Sequence, residues 1–598
     1  MSDDVEALRA QLAQAEARAK AAEAEAARAQ AEALRIAVEA AGTNTDALPQ
    51  PPAPAGSAPE LSPTARTIAQ GYAFDAPGIA IGTLMDGTAP APGHHVLLPL
   101  GVVNRHLLVA GATGTGKTRT LQLLAEELSA SGSPVLLCDV KGDLTGLAEP
   151  GAPSEGLTAR TAANGQAWAP AAFPVDLLSL GGADVQFPGA TVRTTISDFG
   201  PILLARALDL NTTQEQSLQL VFSWADARGL ELVDLADLRA VISFLTSAGG
   251  KEELDGIGGV SKATAGVILR ALTALEAQGG DRFFGEPAFD TADLLRRSPE
   301  GRGVISLLGV GDISQRPALV SAVIMWLLAD LFSHLPEVGD PQRPELVFFF
   351  DEAHLLFADA TKEFERQVVQ TVRLIRSKGV GIVFVTQTPK DLPADVLAQL
   401  GSRIQHALRA VTPDDQKRLR QTVATFPDTD LDLEEVLTTL GTGEAAVTVL
   451  APDGRPTPVA PTRIWAPASV MGPASASAVA ELASSSPLTA KYATAVNPVS
   501  AQEKLADRAR RAEEAAAAQA SREADARAEE KRAKAEAAAA AREERRLQAE
   551  AERGARVAER ERQKRTSALE KALGSAVRAA GTQLGREITR TLFGTRRR

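Results

Sequence analysis

One cysteine in 598 residues excludes an intrachain disulfide and makes a reducing cytosol the natural compartment. That residue, Cys138, lies in the apolar run Pro134–Val140 and reads as a buried strand position. Long apolar runs are also missing. The longest, Ala322–Ala329, is far too short to cross a bilayer, and the alanine-rich, charged N-terminus has no apolar segment of the secretory kind. A soluble, cytoplasmic protein is expected, with peripheral membrane contact left open. Nor is there a basic surplus: 63 Lys and Arg face 75 Asp and Glu, a net charge of −12. This argues against a uniformly basic nucleic-acid binder. The charge is polarised, however. Residues 501–598 hold 25 Lys and Arg against 17 Asp and Glu, a net of +8, which leaves −20 for residues 1–500.

What is present sorts along the chain. Residues 1–41 are rich in Ala, Glu and Arg, and Val5, Leu8, Leu12 and then alanines to Ala33 recur at alternating spacings of three and four. That seam reads as a coiled coil of small knobs, either oligomerising or solvated as a single helix. Residues 42–66, with six prolines from Pro49 to Pro63, are a linker. Short turn-rich strands are expected over 67–105. The apolar runs 106–110, 134–140, 303–310, 346–350 and 380–386 alternate with helical patterns, which predicts an α/β fold with a parallel sheet; 445–450 is a candidate later strand. Closely spaced helical signals over about 196–285 predict an inserted helical subdomain. Inside it, Leu254–Ile268 has the glycine turn of a helix–hairpin–helix or of a plain interhelical turn; the second reading is preferred. Residues 466–500 read as an extended linker and 501–567 as a long charged helix. Over 568–598, Leu569, Leu573, Val577, Leu584, Ile588 and Leu592 recur at helical spacing among basic residues, a basic amphipathic tail helix suited to the core, acidic lipid or a partner protein.

Two motifs carry chemistry. Gly111-Ala112-Thr113-Gly114-Thr115-Gly116-Lys117-Thr118 follows the apolar Leu107–Ala110 and opens a helical pattern at Arg119, the strand, glycine loop and helix order of a phosphate-binding loop, with Gly111 to Thr118 and Arg119 as the expected nucleotide-binding residues. Its glycines let backbone N–H groups turn towards a triphosphate, the following helix points its positive end at the same anion, Lys117 reaches the terminal phosphates, and the Thr118 hydroxyl suits Mg²⁺. The second motif is the acidic pair Asp351-Glu352 that ends the apolar run Leu346–Phe350. In phosphate-loop enzymes a carboxylate at this place, here Asp351, holds the Mg²⁺ shell, and the next one, Glu352, polarises the attacking water.

With Asp139-Val-Lys-Gly-Asp-Leu-Thr-Gly146, Asn104-Arg-His, the stretch Val368–Gln387, and Leu400–Arg409, these motifs resemble the HerA/FtsK superfamily of hexameric DNA-pumping ATPases, and within it a bacterial HerA-like helicase subfamily. The resemblance covers about 67–500 strongly and the tail by pattern. It implies a RecA-like P-loop NTPase fold over 67–465 with long helical N- and C-terminal extensions, ATP and Mg²⁺ as ligands, a homo-hexameric ring and duplex DNA as partner. It also implies that Gln387 contacts the γ-phosphate or attacking water. Arg403 lies where such ATPases place an arginine that completes a neighbour's site; a surface salt bridge is the equal alternative, and Arg373, Arg376 and Arg409 compete for the role. DNA-repair HerA proteins carry an N-terminal β-barrel, for which the roughly forty residues between linker and glycine loop are too few. Two functions compete: an ATP-driven DNA translocase, and a nucleotide-gated assembly scaffold that recruits partners through its terminal helices. A metabolic kinase is disfavoured by the acidic pair and the long insertion.

Overall fold

The apolar runs in the middle of the chain become neighbouring strands because burial on both faces leaves no use for polar alternation. The computed structural model describes residues 61–180, 188–254, 258–310, 317–357 and 362–570, and divides into a unit ending at Pro498 and one starting at Val499. The alanine seam 1–41, most of the linker, the tail 571–598 and the turn residues 255–257 of the hairpin-like segment lie outside the described residues.

Among the described residues of the first unit, twelve strands form one sheet: β1 (Gly78–Asp86), β2 (Ala89–Pro99), β3 (Leu107–Ala110), β4 (Val135–Asp139), β5 (Val175–Ser179), β6 (Ala190–Thr191), β7 (Ile305–Gly309), β8 (Leu346–Phe350), β9 (Val380–Thr386), β10 (Ser402–His406), β11 (Glu444–Thr448) and β12 (Ala460–Ile464). Their spatial order is β2-β1-β12-β11-β10-β3-β9-β8-β4-β7-β5-β6. From β10 to β6 every pairing is parallel, the arrangement of a RecA-like P-loop fold. From β10 to β2 every pairing is antiparallel. The sheet is therefore mixed, and residues 78–99 form a hairpin that extends it.

β8 shows how the core is filled. Val347 and Phe349 join a cluster with Leu121, Leu124 and Leu128 of the helix Lys117–Ala130. On the other face, Phe348 stacks on Phe350 with centroids 4.4 Å apart, and Phe350 on Phe384 at 5.3 Å. The insertion is helical as expected: seven helices from Ile196–Phe199 to Gly280–Phe283 lie between β6 and β7, around buried Leu218, Trp224, Ile242, Ile268 and Leu272.

Of residues 466–500, read from sequence as an extended linker, 466–498 are instead part of the sheet unit. They hold the helices Ala476–Ser485 and Pro487–Tyr492, and Leu488 and Tyr492 are buried. Few apolar residues sufficed to mislead the reading, since the segment is held by polar groups. The carboxylate of Glu126, buried in the helix Lys117–Ala130, accepts from Ala468 N–H at 2.7 Å, from Ser469 N–H at 3.1 Å and from the Ser469 hydroxyl. Among the described residues the second unit holds the helix Ala501–Glu570, 70 residues and so about 105 Å long, exposed throughout residues 511–564. No helix among the described residues is long and apolar enough to cross a membrane.

His106, at the start of β3, ties three elements together. Ile382 N–H donates to its Nδ1 at 3.1 Å, which leaves the proton on Nε2, 2.8 Å from the Val372 carbonyl. Burial pulls this imidazole from 6.5 down to about 4. A folded pKa below the unfolded one means that the imidazole's share of stability is complete above pH 6.5 and is lost as pH falls towards 4. Between pH 6.5 and 5 the wild type is expected to lose about 2 kcal/mol more unfolding free energy than His106→Gln does. Urea titrations at the two pH values check this, and equal losses would refute it.

Candidate functional site

The phosphate loop begins where β3 ends. Gly111 N–H donates to the Gln387 carbonyl at 3.1 Å and Ala112 N–H to the Ala407 carbonyl at 3.0 Å, so the ends of β9 and β10 fix its first residues. A Cβ on Gly111 would stand 2.5 Å from the His406 Cβ, which rules out any other residue there without a shift of β10. Lys117 Nζ donates to the carbonyls of Gly111 at 2.7 Å and Ala112 at 3.2 Å, and so lies over the loop. Thr113 and Gly114 are exposed, Thr115 is buried, and Gly116 and Thr118 are half-buried. Arg119 turns away from the loop, donating to Gln122 Oε1 at 3.1 Å and to the Met471 carbonyl at 2.7 Å.

Behind the loop stand groups that the sequence reading gave no role. His406 accepts or donates at Thr120 Oγ1, 2.9 Å from its Nε2, and its Nδ1 lies 2.9 Å from the Glu444 carbonyl. Burial holds its pKa at about 4, with Lys117 acting in the same sense, so it is a neutral support at physiological pH. Gly443 N–H donates to the Thr115 carbonyl at 2.9 Å, and Arg160 Nη2 donates to the Gly443 carbonyl at 2.8 Å. Gly443 sits at φ +75°, and a Cβ there would meet that guanidinium at 2.6 Å. The one hint in the sequence is Gly441-Thr442-Gly443, a second glycine turn 325 residues beyond Thr118.

Asp351 and Glu352 follow β8, two strands from β3, and share an electrostatic cluster with Lys117. Burial lowers the Lys117 pKa, opposed by Glu352 and Asp351 and reinforced by Lys141. The Asp351 side chain is 7% exposed, and burial raises its pKa to about 6 against the opposing charge of Lys141. Its Oδ1 accepts from Glu352 N–H at 3.0 Å, while Oδ2 is buried without a hydrogen-bond partner. An unpaired carboxylate oxygen of this kind fits a hard divalent cation, which would supply the missing partner and favour the charged form. No group of three His, Cys, Asp or Glu that could hold a metal ion occurs among the described residues. Glu352 adopts φ +49°, uncommon for a residue with a Cβ and characteristic of functional turns. Ala353 N–H anchors this turn to the Val385 carbonyl at 2.8 Å.

A model of the family described as "Helicase HerA-like C-terminal" matches residues 86–598. The chain belongs to the HerA-like family. Among relatives of this HerA-like chain, the probable DNA double-strand break repair helicase HerA of Methanocaldococcus jannaschii is 25% identical over 371 residues, 58% of this chain and 69% of that protein. The DNA double-strand break repair helicase HerA of Sulfolobus acidocaldarius is 22% identical over 400 residues, 65% and 72% of the two. A solved structure of the bacterial conjugative coupling protein TrwBdeltaN70 is 16% identical, with a TM-score of 0.43 over 69% of this chain and 95% of that one.

Of the remaining expected residues of this HerA-like site, Gln387 lies beside the loop, bonded through its carbonyl to Gly111 N–H, and Arg403 does not. Gln387 is exposed directly after β9, in a loop whose Thr388 N–H and hydroxyl donate to the Asp391 carboxylate at 2.7 and 2.9 Å. Arg403 is placed elsewhere. It pairs with Leu108 in mid-strand, is 8% exposed, donates to the Thr425 carbonyl at 2.5 Å and lies 5.4 Å from the Phe426 ring centroid. In this chain it is neither a surface salt bridge nor a group presented outward. Among its competitors, Arg376 lies 3.6 Å from Asp340, and Arg373 and Arg409 are exposed.

Proposed function

We propose that this protein is an ATP-hydrolysing motor that works as a ring, a homo-hexamer, and couples hydrolysis to the movement of duplex DNA. The observation that carries the reading is the convergence of Lys117, Asp351 and Glu352 at the ends of β3 and β8, in a chain of the HerA-like family. The N–H groups of 111–118 and the Lys117 ammonium bind and orient the triphosphate. Thr118 and Asp351 hold Mg²⁺, which when bound offsets charge on the phosphate oxygens. Glu352 takes the proton of the attacking water, and Gln387 orients that water. An exposed arginine, Arg373 or Arg409, suits the role of completing a neighbour's site better than the buried Arg403. Related proteins are named as helicases of DNA double-strand break repair, which supports DNA as the polymer.

The long exposed helix Ala501–Glu570 favours a second reading, a nucleotide-gated scaffold that recruits partners. Duplex DNA separates the two. A motor's ATP turnover is expected to rise at least tenfold with duplex DNA, and that stimulation to fall steeply between 50 and 200 mM salt as phosphate contacts are screened. Turnover indifferent to DNA, with particle mass changing on nucleotide binding, would favour the scaffold.

A further inference from the structure

The segment Asp139-Val140-Lys141-Gly142-Asp143 has no part in the reaction as set out above, yet its geometry is specific. The Asp139 carboxylate, wholly buried at the end of β4, accepts from the N–H groups of Lys141 at 3.0 Å, Gly142 at 2.7 Å and Leu144 at 3.1 Å. Three backbone donors on one carboxylate fix the turn, and the turn carries Lys141 across the end of β4 to β8. There Lys141 Nζ donates to Glu352 Oε1 at 3.0 Å. The other carboxylate oxygen, Oε2, is buried without a hydrogen-bond partner, and His354 Nδ1 is 3.6 Å away.

We infer that Lys141 is a positioning residue for hydrolysis: it holds Oε1 of Glu352 so that Oε2 is the oxygen left to take the proton of the attacking water. The inference rests on the ATPase reading and adds to it the residue that orients the base. In the reaction the water oxygen forms its bond to the terminal phosphorus, the bond from that phosphorus to the bridging oxygen of ADP breaks, and the water's proton passes to Oε2. A carboxylate that pivots freely spends less time with a lone pair on the water, and misplacement of a reacting group by about 1 Å can cost on the order of 100-fold in rate. The direct ion pair with Glu352 contributes little to stability, although the Lys141 charge also eases the burial of Asp351. The Lys141 side chain is 51% exposed, and ion pairs in such surroundings contribute about 0–1 kcal/mol.

The test compares Lys141→Ala and Lys141→Arg with the wild-type full chain, measuring steady-state kcat and KM for ATP, the dissociation constant of Mg·ADP and the thermal midpoint. The expected result for Lys141→Ala is a fall in kcat of about 10- to 100-fold, with KM and ADP affinity unchanged and only a small fall in the melting temperature from the charge lost beside Asp351. Lys141→Arg, which keeps a donor in reach, is expected to recover most of the rate. Unchanged or raised kcat in Lys141→Ala overturns the inference. So does a loss of ADP affinity or melting temperature parallel to the loss of kcat, or an arginine variant as slow as alanine. Failure of the ATPase reading itself looks different: the wild type would then show no hydrolysis that Lys117→Ala abolishes.

Discussion

Glu352→Gln is expected to bind Mg·ATP as tightly as the wild type and to turn it over about 100- to 1,000-fold more slowly. The substitution keeps the shape of a side chain that is 15% exposed and removes its capacity to accept a proton, together with the charge that Lys141 pairs with. It also leaves the φ +49° turn and the anchoring bond from Ala353 N–H to Val385 untouched. Lys117→Ala is expected to differ in kind, since its ammonium lies over the loop carbonyls where the phosphates bind: nucleotide affinity falls along with rate. Equilibrium binding of a fluorescent nucleotide together with single-turnover hydrolysis separates the two. Should Glu352→Gln hydrolyse ATP at the wild-type rate, the base has been misassigned, whatever the behaviour of Lys117.

The second large effect concerns stability, and its sign is opposite to that of most site substitutions. Asp351 has a folded pKa of about 6 against an ordinary 3.8, chiefly through burial. An acid whose pKa rises on folding destabilises the fold wherever it is charged. The cost is therefore full above pH 6, shrinks as pH falls, and vanishes near pH 4. A rise of this size corresponds to about 3 kcal/mol. Asp351→Asn, measured in EDTA without nucleotide at pH 7.5, is expected to unfold at higher denaturant by about 2–3 kcal/mol, with the gain fading between pH 6 and 4. The same variant is expected to lose Mg²⁺-dependent turnover. Stabilisation that persists unchanged at pH 4 would show that charge burial is not its cause. The unpaired Oδ2 thus carries a cost that cation binding relieves, which links folding stability to the metal.

These effects also mark how far the sequence alone could be read. β8 and β9 were legible because strands buried on both faces are written in apolar residues, and the glycine loop because its chemistry is confined to eight consecutive positions. β10 was not legible as a strand. Ser402, Arg403, Gln405 and His406 are all buried, so a run of mostly polar residues lies in the middle of the sheet. Their partners include the Thr425 carbonyl, Thr120 and the Glu444 carbonyl, distant in sequence and invisible to periodicity. The same holds for the Lys141–Glu352 pair, 211 residues apart, and for Gly443, whose need to be glycine comes from its φ of +75° in a turn tied to Thr115 and Arg160. Segment 466–500 was misread for the same reason: the carboxylate of Glu126, and not an apolar stripe, holds its first residues.

The position of β10 beside β3 bears on how the protein can be cut. β3 has β9 on one side and β10 on the other, and β10 joins the parallel and antiparallel parts of the sheet. A fragment ended before Ser402 would keep every residue of both recognisable motifs, yet β3 would become an edge, its four apolar residues open along one side to pairing with another chain. Such a fragment would also lack the carbonyl of Ala407 that receives Ala112 N–H, and the His406 ring behind the loop. The shortest piece that carries the motifs is thus an aggregation-prone one, and a separable nucleotide-binding module has to run through β10 to β12.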